Sequence, residues 1–184
     1  MLFNDDEKLI HKALDGNERA WVKLVKRYEK RIYNYSLRMT GATDEAMDLV
    51  QEVFLAVFRN LPNYRGNGVF PAWIFRIASN RCTDFLRRRN NNPLARQSAT
   101  DTETLSSSSM ADEDLHRDQG NKHVLKLLSE LPQEQRQIVE LKLFQSMTFD
   151  EIEGYTGLSA NTAKTRFYTA LEKLRKNVEV PHAV

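Results

Sequence analysis

The feature that most constrains the fold is a polar, acidic stretch that divides the chain. Residues 90–114 are rich in Asn, Ser, Thr and Asp and show no lasting hydrophobic periodicity. A segment of this composition cannot bury enough apolar surface to offset the entropy that ordering would cost. We therefore predict a flexible acidic linker over residues 93–120, between an N-terminal unit at residues 1–92 and a C-terminal unit at residues 121–184.

Both units are predicted to be helical, because apolar residues recur at helical spacing and period-two strand patterns are nearly absent. The expected fold class is all-α: two small helical bundles joined by the linker. The apolar positions predicted to face the cores are Trp21, Leu24, Val25, Tyr28, Ile32 and Tyr35 in a first segment; Met47, Val50, Phe54, Val57, Phe58 and Leu61 in a second; Trp73, Ile74, Ile77, Ala78 and Phe85 in a third; and Ile138, Val139, Leu141, Leu143 and Phe144 in the C-terminal unit.

The C-terminal unit contains a pattern typical of a helix-turn-helix. A short helix opens with Asp150, Ile152 and Tyr155, and Gly157 can supply the left-handed turn that ends it. Ser159 offers an N-cap oxygen for a second helix. The apolar stripe of that second helix consists of Ala163, Phe167, Ala170, Leu171 and Leu174.

The other face of this second helix is polar and basic. Residues 159–177 contain five Lys or Arg residues against one acidic residue, Glu172. Such side chains suit a helix that meets base edges and phosphates in a major groove. The alternative is an ordinary amphipathic hairpin with a solvated basic face. The polar positions are Asn161, Thr162, Lys164, Thr165, Arg166, Tyr168 and Thr169.

A second basic segment lies in the N-terminal unit. Residues 61–96 contain seven arginines and one acidic residue, Asp84. Within residues 69–91 aromatic and arginine side chains interleave, and a loop with Gly and Asn precedes them at residues 63–70. Arginines can bind phosphates and aromatic faces can stack on bases that have left a duplex. Several of the aromatic side chains could equally fill the core, and Arg87–Arg89 could simply stabilise a helix C-terminus.

The second segment carries an acidic face. Asp44, Glu45, Asp48, Gln51 and Glu52 fall on one side of the predicted helix. Acidic side chains would repel DNA, so this face is either solvated or binds a basic protein partner. Composition alone favours the solvated face.

Composition excludes several classes of protein. The single cysteine, Cys82, rules out an intramolecular disulfide and a Cys-rich metal site. No run reaches the length of a membrane span and the N-terminus lacks a signal-peptide pattern, so we expect a cytoplasmic protein. The histidines are scattered and the acidic residues of the second segment form one exposed face, so we expect no enzyme, no metal and no cofactor.

The segments 48–62 and 70–89 together resemble the second domain of an extracytoplasmic-function sigma factor, a bacterial transcription initiation subunit. Residues 131–176 resemble the fourth domain of the same family. The resemblance covers about three-quarters of the chain. The two parts stand in the family's order with only a tether between them, as in the group that lacks the larger middle domain.

The resemblance implies a function and three sites. The protein would bind core RNA polymerase, melt and read the −10 promoter element, and read the −35 element as duplex DNA, with no small-molecule substrate. An anti-sigma factor, which can be membrane-anchored, would hold it inactive, and a role in stress response follows. Two positions, Asn161 and Thr169, depart from residues common in the family, so base-by-base specificity does not carry over. The implied sites are Asp48, Gln51, Glu52 and Leu55 for core polymerase; Tyr64, Arg65, Asn67, Phe70, Arg76, Asn80, Arg87 and Arg88 for the −10 element; and Ser159, Asn161, Thr162, Lys164, Thr165, Arg166 and Tyr168 for the −35 element.

One competing class shares the C-terminal helix-turn-helix. A two-domain transcriptional regulator with a signal-sensing N-terminal bundle would bind duplex DNA unaided. The N-terminal unit shows no phosphoacceptor or ligand-pocket pattern, and its arginine-aromatic helix suits single strands better. Binding of duplex DNA without polymerase would distinguish this regulator from a sigma factor.

Overall fold

A computed structural model of the protein describes residues 2–66, 70–91 and 122–179. Within these ranges the regular structure is helical and contains no strand. The chain forms two compact units, Met1–Thr102 and Glu103–Val184. The predicted all-α class with two helical units is confirmed. The predicted linker lies outside the described residues, so its boundaries and its flexibility stay predictions.

The N-terminal unit is a bundle of helices α1 (Leu2–Leu14), α2 (Glu18–Thr40), α3 (Thr43–Asn60) and α4 (Phe70–Asn91). A 3-10 turn, Leu61–Asn63, follows α3. Helix α3 packs against both α2 and α4, and α1 packs mainly on α2. Helix α2 also contacts α4, so it packs against each of the other three helices of the bundle.

Helix α2 has a residue with capping chemistry at each end. The side chain of Asn17 accepts a hydrogen bond of 3.1 Å from the backbone N–H of Ala20, which satisfies one free donor of the first turn. Gly41 adopts φ 80°, and its N–H donates to the carbonyl of Leu37. Only glycine reaches this left-handed conformation without steric cost, so Gly41 fixes the end of the helix.

The predicted core-facing side of α3 is confirmed only in part, because Phe54, Val57 and Leu61 are buried as expected. Met47 and Phe58, also predicted to be buried, are 54% and 59% exposed. Leu49 and Val53, which were not predicted, are buried as well. The apolar arc of α3 is wide, and packing against α2 and α4 covers only part of it. Part of the apolar arc therefore stays on the surface.

Helix α1 is held to α2 by a buried carboxylate. Asp6, 3% exposed, accepts hydrogen bonds from the hydroxyl of Tyr28 and the guanidinium of Arg27. Burial, and then the hydrogen bond to Asp6, raise the pKa of the Tyr28 phenol. The phenol therefore stays protonated and donates to the carboxylate. This network satisfies polar groups that would otherwise be costly to bury.

The C-terminal unit contains α5 (residues 122–129), α6 (Gln133–Val139), a π-helical turn (Glu140–Phe144), α7 (Phe149–Thr156) and α8 (Ala160–Glu179). Its core is built mainly from the facing sides of α6, α7 and α8. The buried apolar side chains are Leu128, Leu131, Ile138, Val139, Leu141, Met147, Ile152, Ala163, Phe167 and Ala170.

The π-helical turn alters which residues of this unit are buried. Leu143 and Phe144, predicted to face the core, are 53% and 41% exposed. A π-helical turn widens the helix and shifts the phase of the residues that follow. Glu140, the first residue of this turn, is fully buried, and its carboxylate accepts a hydrogen bond of 3.1 Å from the side chain of Gln145.

The Asp6 network predicts that Asp6→Ala destabilises the N-terminal unit by about 1–3 kcal/mol, because the substitution leaves a buried phenol without its acceptor. Both tryptophans, Trp21 and Trp73, lie in this unit. Tryptophan fluorescence during denaturant unfolding of the full chain therefore reports on it. The control variant Asp5→Ala, at an exposed neighbouring position, should leave the midpoint of denaturant unfolding unchanged. Equal unfolding midpoints for the two variants would contradict a stabilising role for the Asp6 network.

Candidate nucleic-acid interface

The start of the helix-turn-helix is fixed by a capping box. The hydroxyl of Thr148 accepts from the backbone N–H of Glu151 at 3.2 Å, and the carboxylate of Glu151 accepts from the backbone N–H of Thr148 at 2.7 Å. This reciprocal pair satisfies donors at the first turn of α7. The hydrogen bonds that Thr148 donates, first from its backbone and then from its side chain, lower the pKa of Glu151.

The turn between α7 and α8 forms as the sequence predicts. Gly157 adopts φ 74° and its N–H donates to the carbonyl of Glu153. The side-chain oxygen of Ser159 accepts from the N–H of Thr162 at 3.2 Å, as expected for an N-cap. The carboxylate of Glu153 reaches across to accept from the N–H of Ala160 at 3.0 Å. These bonds set the direction in which α8 leaves the turn.

Most of the predicted −35 residues lie together on the exposed side of α8. Its opposite side packs on α6 and α7 through buried Ala163, Phe167 and Ala170. The ring centroids of Phe167 and Phe149 lie 5.7 Å apart. The exposed members of the predicted set are Ser159, Asn161, Thr162, Lys164, Thr165 and Tyr168.

Arg166 differs from the other predicted −35 residues. Its side chain is 28% exposed, and its guanidinium lies 2.7 Å from the carboxylate of Glu134 at the start of α6. This ion pair ties α8 to α6. Glu134 was not predicted as a partner, because the two residues are far apart along the chain.

Phe70 requires a correction. Its ring, predicted to contact the −10 element, is 2% exposed. It is enclosed by Tyr28, Tyr64 and Trp73, with ring centroids 5.5, 5.3 and 5.4 Å away. A ring covered by aromatic neighbours cannot offer a face to a base. Phe70 instead supports Tyr64 and Trp73, which remain partly exposed.

Tyr64 stands at the edge of this aromatic cluster. Its ring lies 5.2 Å from that of Trp73, and burial, followed by the charges of Glu7 and Asp6, raises its phenol pKa. Arg65 beside it is exposed. Asn67, also predicted to contact the −10 element, lies outside the described residues.

A polar groove of about 450 Å³ runs between α3 and α4 beside the aromatic cluster, and we call it the Trp73 groove. Arg76 and Asn80 line it, so the structure brings together two residues that the sequence predicts for single-stranded DNA. Its volume falls in the range of ligand-binding clefts. The full lining is Ala56, Asn60, Asn63, Trp73, Arg76, Ile77, Asn80, Arg81 and Asp84.

The arginines at the end of α4 make ion pairs with acidic neighbours. Arg87 lies 3.0 Å from the carboxylate of Asp84 on the same helix, and Arg88 lies 3.6 Å from Glu52 on α3. Both arginines remain exposed, as a role in DNA binding requires. Arg89 is more enclosed, and it contacts Glu45 at 2.7 Å and the carbonyl of Thr40 at 3.3 Å. Arg89 therefore stabilises the bundle.

The predicted polymerase-binding residues share one face of α3. Asp48, Gln51 and Leu55 are exposed, and Glu52 is partly exposed. Met47 and Phe58, which were predicted to be buried, lie beside them. The ring of Phe58 packs edge-on against that of Trp21, with ring centroids 5.1 Å apart. The face is therefore both acidic and apolar, which the sequence pattern alone did not indicate. An exposed apolar patch of this kind marks an interaction surface.

Among the described residues, no helix is long and apolar enough to cross a membrane. In the same part of the chain, no group of His, Cys, Asp or Glu is arranged to hold a metal ion.

Comparison with known proteins settles the family. Residues 24–92 match the family model of Sigma-70 region 2, and residues 122–174 match that of Sigma-70, region 4. The sigma factor CarQ of Myxococcus xanthus is 32% identical over 162 residues, which cover 88% of this chain and 91% of CarQ. This protein is an extracytoplasmic-function sigma factor.

Two further similarities agree with that assignment. The extracytoplasmic-function sigma factor SigW of Bacillus subtilis is 28% identical over 179 residues, covering 94% of this chain and 96% of SigW. The solved structure of the sigma factor RpoE from Bartonella quintana, in complex with the anti-sigma factor NepR, has the same fold. Its TM-score is 0.63 at 20% identity, covering 83% of this chain and 92% of that one.

Membership of this family establishes the function of the whole chain. The sigma factor binds core RNA polymerase and promoter DNA, and it directs transcription initiation to its promoters. The predicted family and function are confirmed. The assignment of individual residues to polymerase, −10 and −35 contacts remains a prediction.

The capping box predicts that Thr148→Ala destabilises α7 by about 1 kcal/mol. The pKa of Glu151 is lowered in the folded state. The ionised carboxylate therefore contributes to stability above the unfolded-state pKa, and this contribution is lost as pH falls through the folded-state pKa. Hydrogen exchange of the α7 amides in the full chain should therefore quicken, relative to the rest of the C-terminal unit, as the solution is acidified below about pH 4.5. Glu151→Gln should abolish this pH dependence of exchange. A variant that keeps the wild-type pH profile would contradict the assignment of the effect to Glu151.

Proposed function

We propose that the two units of this sigma factor divide promoter recognition between them. The N-terminal unit binds core polymerase through α3 and opens the −10 element through α4 and the preceding loop. The C-terminal unit reads the −35 element through α8. The observation that carries this proposal is the separation of surfaces within the N-terminal unit, where an acidic and apolar face of α3 adjoins a polar, arginine-bearing groove.

The polymerase-binding face consists of Asp48, Gln51, Glu52 and Leu55. Met47 and Phe58 extend it with exposed apolar surface. An acidic strip beside exposed apolar side chains suits a partner surface that is basic and partly apolar. The acidic side chains would repel DNA, so nucleic acid is a poor occupant of this face.

The −10 surface centres on the Trp73 groove. Arg76 and Asn80 line it, and Trp73 offers a partly exposed ring on which an unstacked base could lie. Tyr64 and Arg65 stand at its loop side and Arg87 and Arg88 at the far end of α4. Capture of an unstacked base here would offset the few kcal/mol that unstacking costs. Asn67 belongs to the same proposal from sequence alone.

The −35 surface is the exposed side of α8 near its N-terminus. Lys164 and the nearby hydroxyl and amide side chains suit phosphates and base edges of duplex DNA. Arg166 would contact DNA while its guanidinium remains paired with Glu134. The remaining members of this surface are Ser159, Asn161, Thr162, Thr165 and Tyr168.

Regulation and location follow from the family rather than from this chain's geometry. The structural relative RpoE is held in a complex with an anti-sigma factor. We extend this control to the present protein, with a cytoplasmic location and a role in stress response. We also propose that it has no catalytic activity.

Two weak modules held on one polymerase gain effective concentration, so promoter choice requires both elements at a compatible spacing.

The first test is run-off transcription by core RNA polymerase on a pool of bacterial promoters, with and without the full chain. New start sites that depend on the protein are expected. Asp48→Arg should reduce these transcripts at least tenfold, since it reverses an exposed charge at the proposed polymerase contact. Asp48 is preferred to Glu52, because changing Glu52 would also release Arg88.

Glu29→Arg makes the same charge reversal at an exposed position of α2 and serves as the matched control. Equal activity of both variants would contradict the proposed polymerase face. Tight binding of duplex DNA by the protein alone, with no dependent transcript, would favour a transcriptional regulator instead.

A further inference from the structure

Helix α1 carries none of the proposed polymerase or DNA contacts. It precedes the residues that match the family model of Sigma-70 region 2, which begin at residue 24. Besides α2, it contacts α4 and the 3-10 turn that leads to Tyr64. Helix α1 therefore lies against the two elements that carry the proposed −10 surface.

A chain of side-chain contacts joins α1 to the aromatic rings of that surface. The hydroxyl of Tyr28 donates a hydrogen bond to the carboxylate of Asp6 on α1. The ring of Tyr28 also packs edge-on against that of Phe70, with centroids 5.5 Å apart and planes inclined by 69°. Phe70 in turn lies 5.3 Å from the ring of Tyr64 and 5.4 Å from that of Trp73. Asp6 is thus linked, through two buried rings, to the two partly exposed rings that could receive a base.

The hydrogen bond fixes the place of the Tyr28 ring. Asp6 and Tyr28 are each 3% exposed, and Phe70 is 2% exposed. A buried hydroxyl that leaves its acceptor finds no water to replace it, so the ring stays where the carboxylate holds it. Close packing leaves few voids into which a ring could shift, so a constraint on Tyr28 is also a constraint on Phe70.

We propose that α1 is a positioning element for DNA opening. Asp6 holds Tyr28, and Tyr28 holds Phe70. Phe70 then sets the rings of Tyr64 and Trp73 in the arrangement that receives an unstacked base. A binding surface that is ordered in advance loses less conformational entropy when its ligand arrives, so the base binds more tightly. This inference rests on the proposed −10 function, and it names Asp6 as a positioning residue that does not itself touch DNA.

The alternative is that Asp6 only fastens α1 to α2. Helix α1 already has an apolar anchor for this purpose in Ile10, which is 3% exposed. A buried charged group is costly to desolvate, and replacing it by apolar contacts often leaves stability unchanged. A hydrogen bond is directional, however, and it orients the ring of Tyr28 as an apolar contact does not. The orientation of that ring against Phe70 is therefore the specific product of the Asp6 network.

The test compares the binding of two oligonucleotides by core polymerase assembled with the full chain. One is the non-template strand of the −10 element from a promoter found in the run-off experiment, and the other lacks one base, with each position tested in turn. Removal of the captured base should weaken binding by the wild-type complex at least about fivefold, because stacking on an aromatic ring is lost. Tyr28→Phe deletes only the hydroxyl. It should weaken binding of the intact strand and spare the abasic strand, which lowers this abasic factor to about twofold.

Two further variants complete the test. Asp6→Ala should lower the abasic factor to the same value, and combining it with Tyr28→Phe should lower it no further, because both changes remove one hydrogen bond. Tyr33→Phe is the matched control, because it deletes the hydroxyl of a partly exposed tyrosine on the same helix. It should keep the wild-type factor. Assembly of each variant with core polymerase is measured by equilibrium binding without DNA, and all variants should assemble equally.

The outcomes separate this inference from the function on which it rests. A lower abasic factor for Tyr28→Phe and Asp6→Ala, with the control unchanged, supports the inference. Equal weakening of the intact and abasic strands overturns it, because that result indicates a general loss of structure. A wild-type factor in either variant, a lowered factor in the control, or loss of assembly also overturns it while the −10 function stands. If no missing base weakens binding by the wild-type complex, the proposed capture of a base itself fails and the inference falls with it.

Discussion

Helix α3 packs between α2 and α4 on the side that carries Ala46, Leu49 and Val53, and the other surfaces of the N-terminal unit follow from this contact. The choice of this side leaves Met47 and Phe58 on the surface, beside Asp48. The same packing aligns α3 with α4 so that the Trp73 groove opens between them. One helix therefore carries the proposed polymerase face and one wall of that groove.

The sequence predicted helix ends better than helix faces. Asn17, Gly41 and Gly157 act through local backbone geometry, and each lies where its chemistry indicates. On α3, Phe54 and Val57 are buried as predicted but Met47 and Phe58 are exposed, because the apolar arc is too wide for periodicity to locate its buried part. Leu143 was misplaced for a different reason, since a π-helical turn shifts the phase in a way that a regular period cannot anticipate. Those errors arose where tertiary packing decides.

The exposure of a proposed site residue was predictable where its whole face belongs to one helix. Asp48 and Lys164 are exposed on their predicted faces. Phe70 was not predictable, because an aromatic residue next to arginines has the same pattern whether it stacks on a base or fills a core. Pairs that join distant segments, such as Glu134 with Arg166, leave no local signal in a single sequence.

The arginines of α4 fall into three groups by what they contact. Arg89 is enclosed between Glu45 and a backbone carbonyl, so it belongs to the bundle. Arg88 pairs with Glu52, but their side chains are 63% and 41% exposed. An ion pair so open to solvent is worth roughly 0–1 kcal/mol, so the apolar contacts of α3 and α4 hold the helices together and the pair does not. Either partner can therefore be exchanged for an external group at little cost to the fold. Arg81 is exposed and forms no ion pair within the described chain, so an external anion can reach it without displacing a partner.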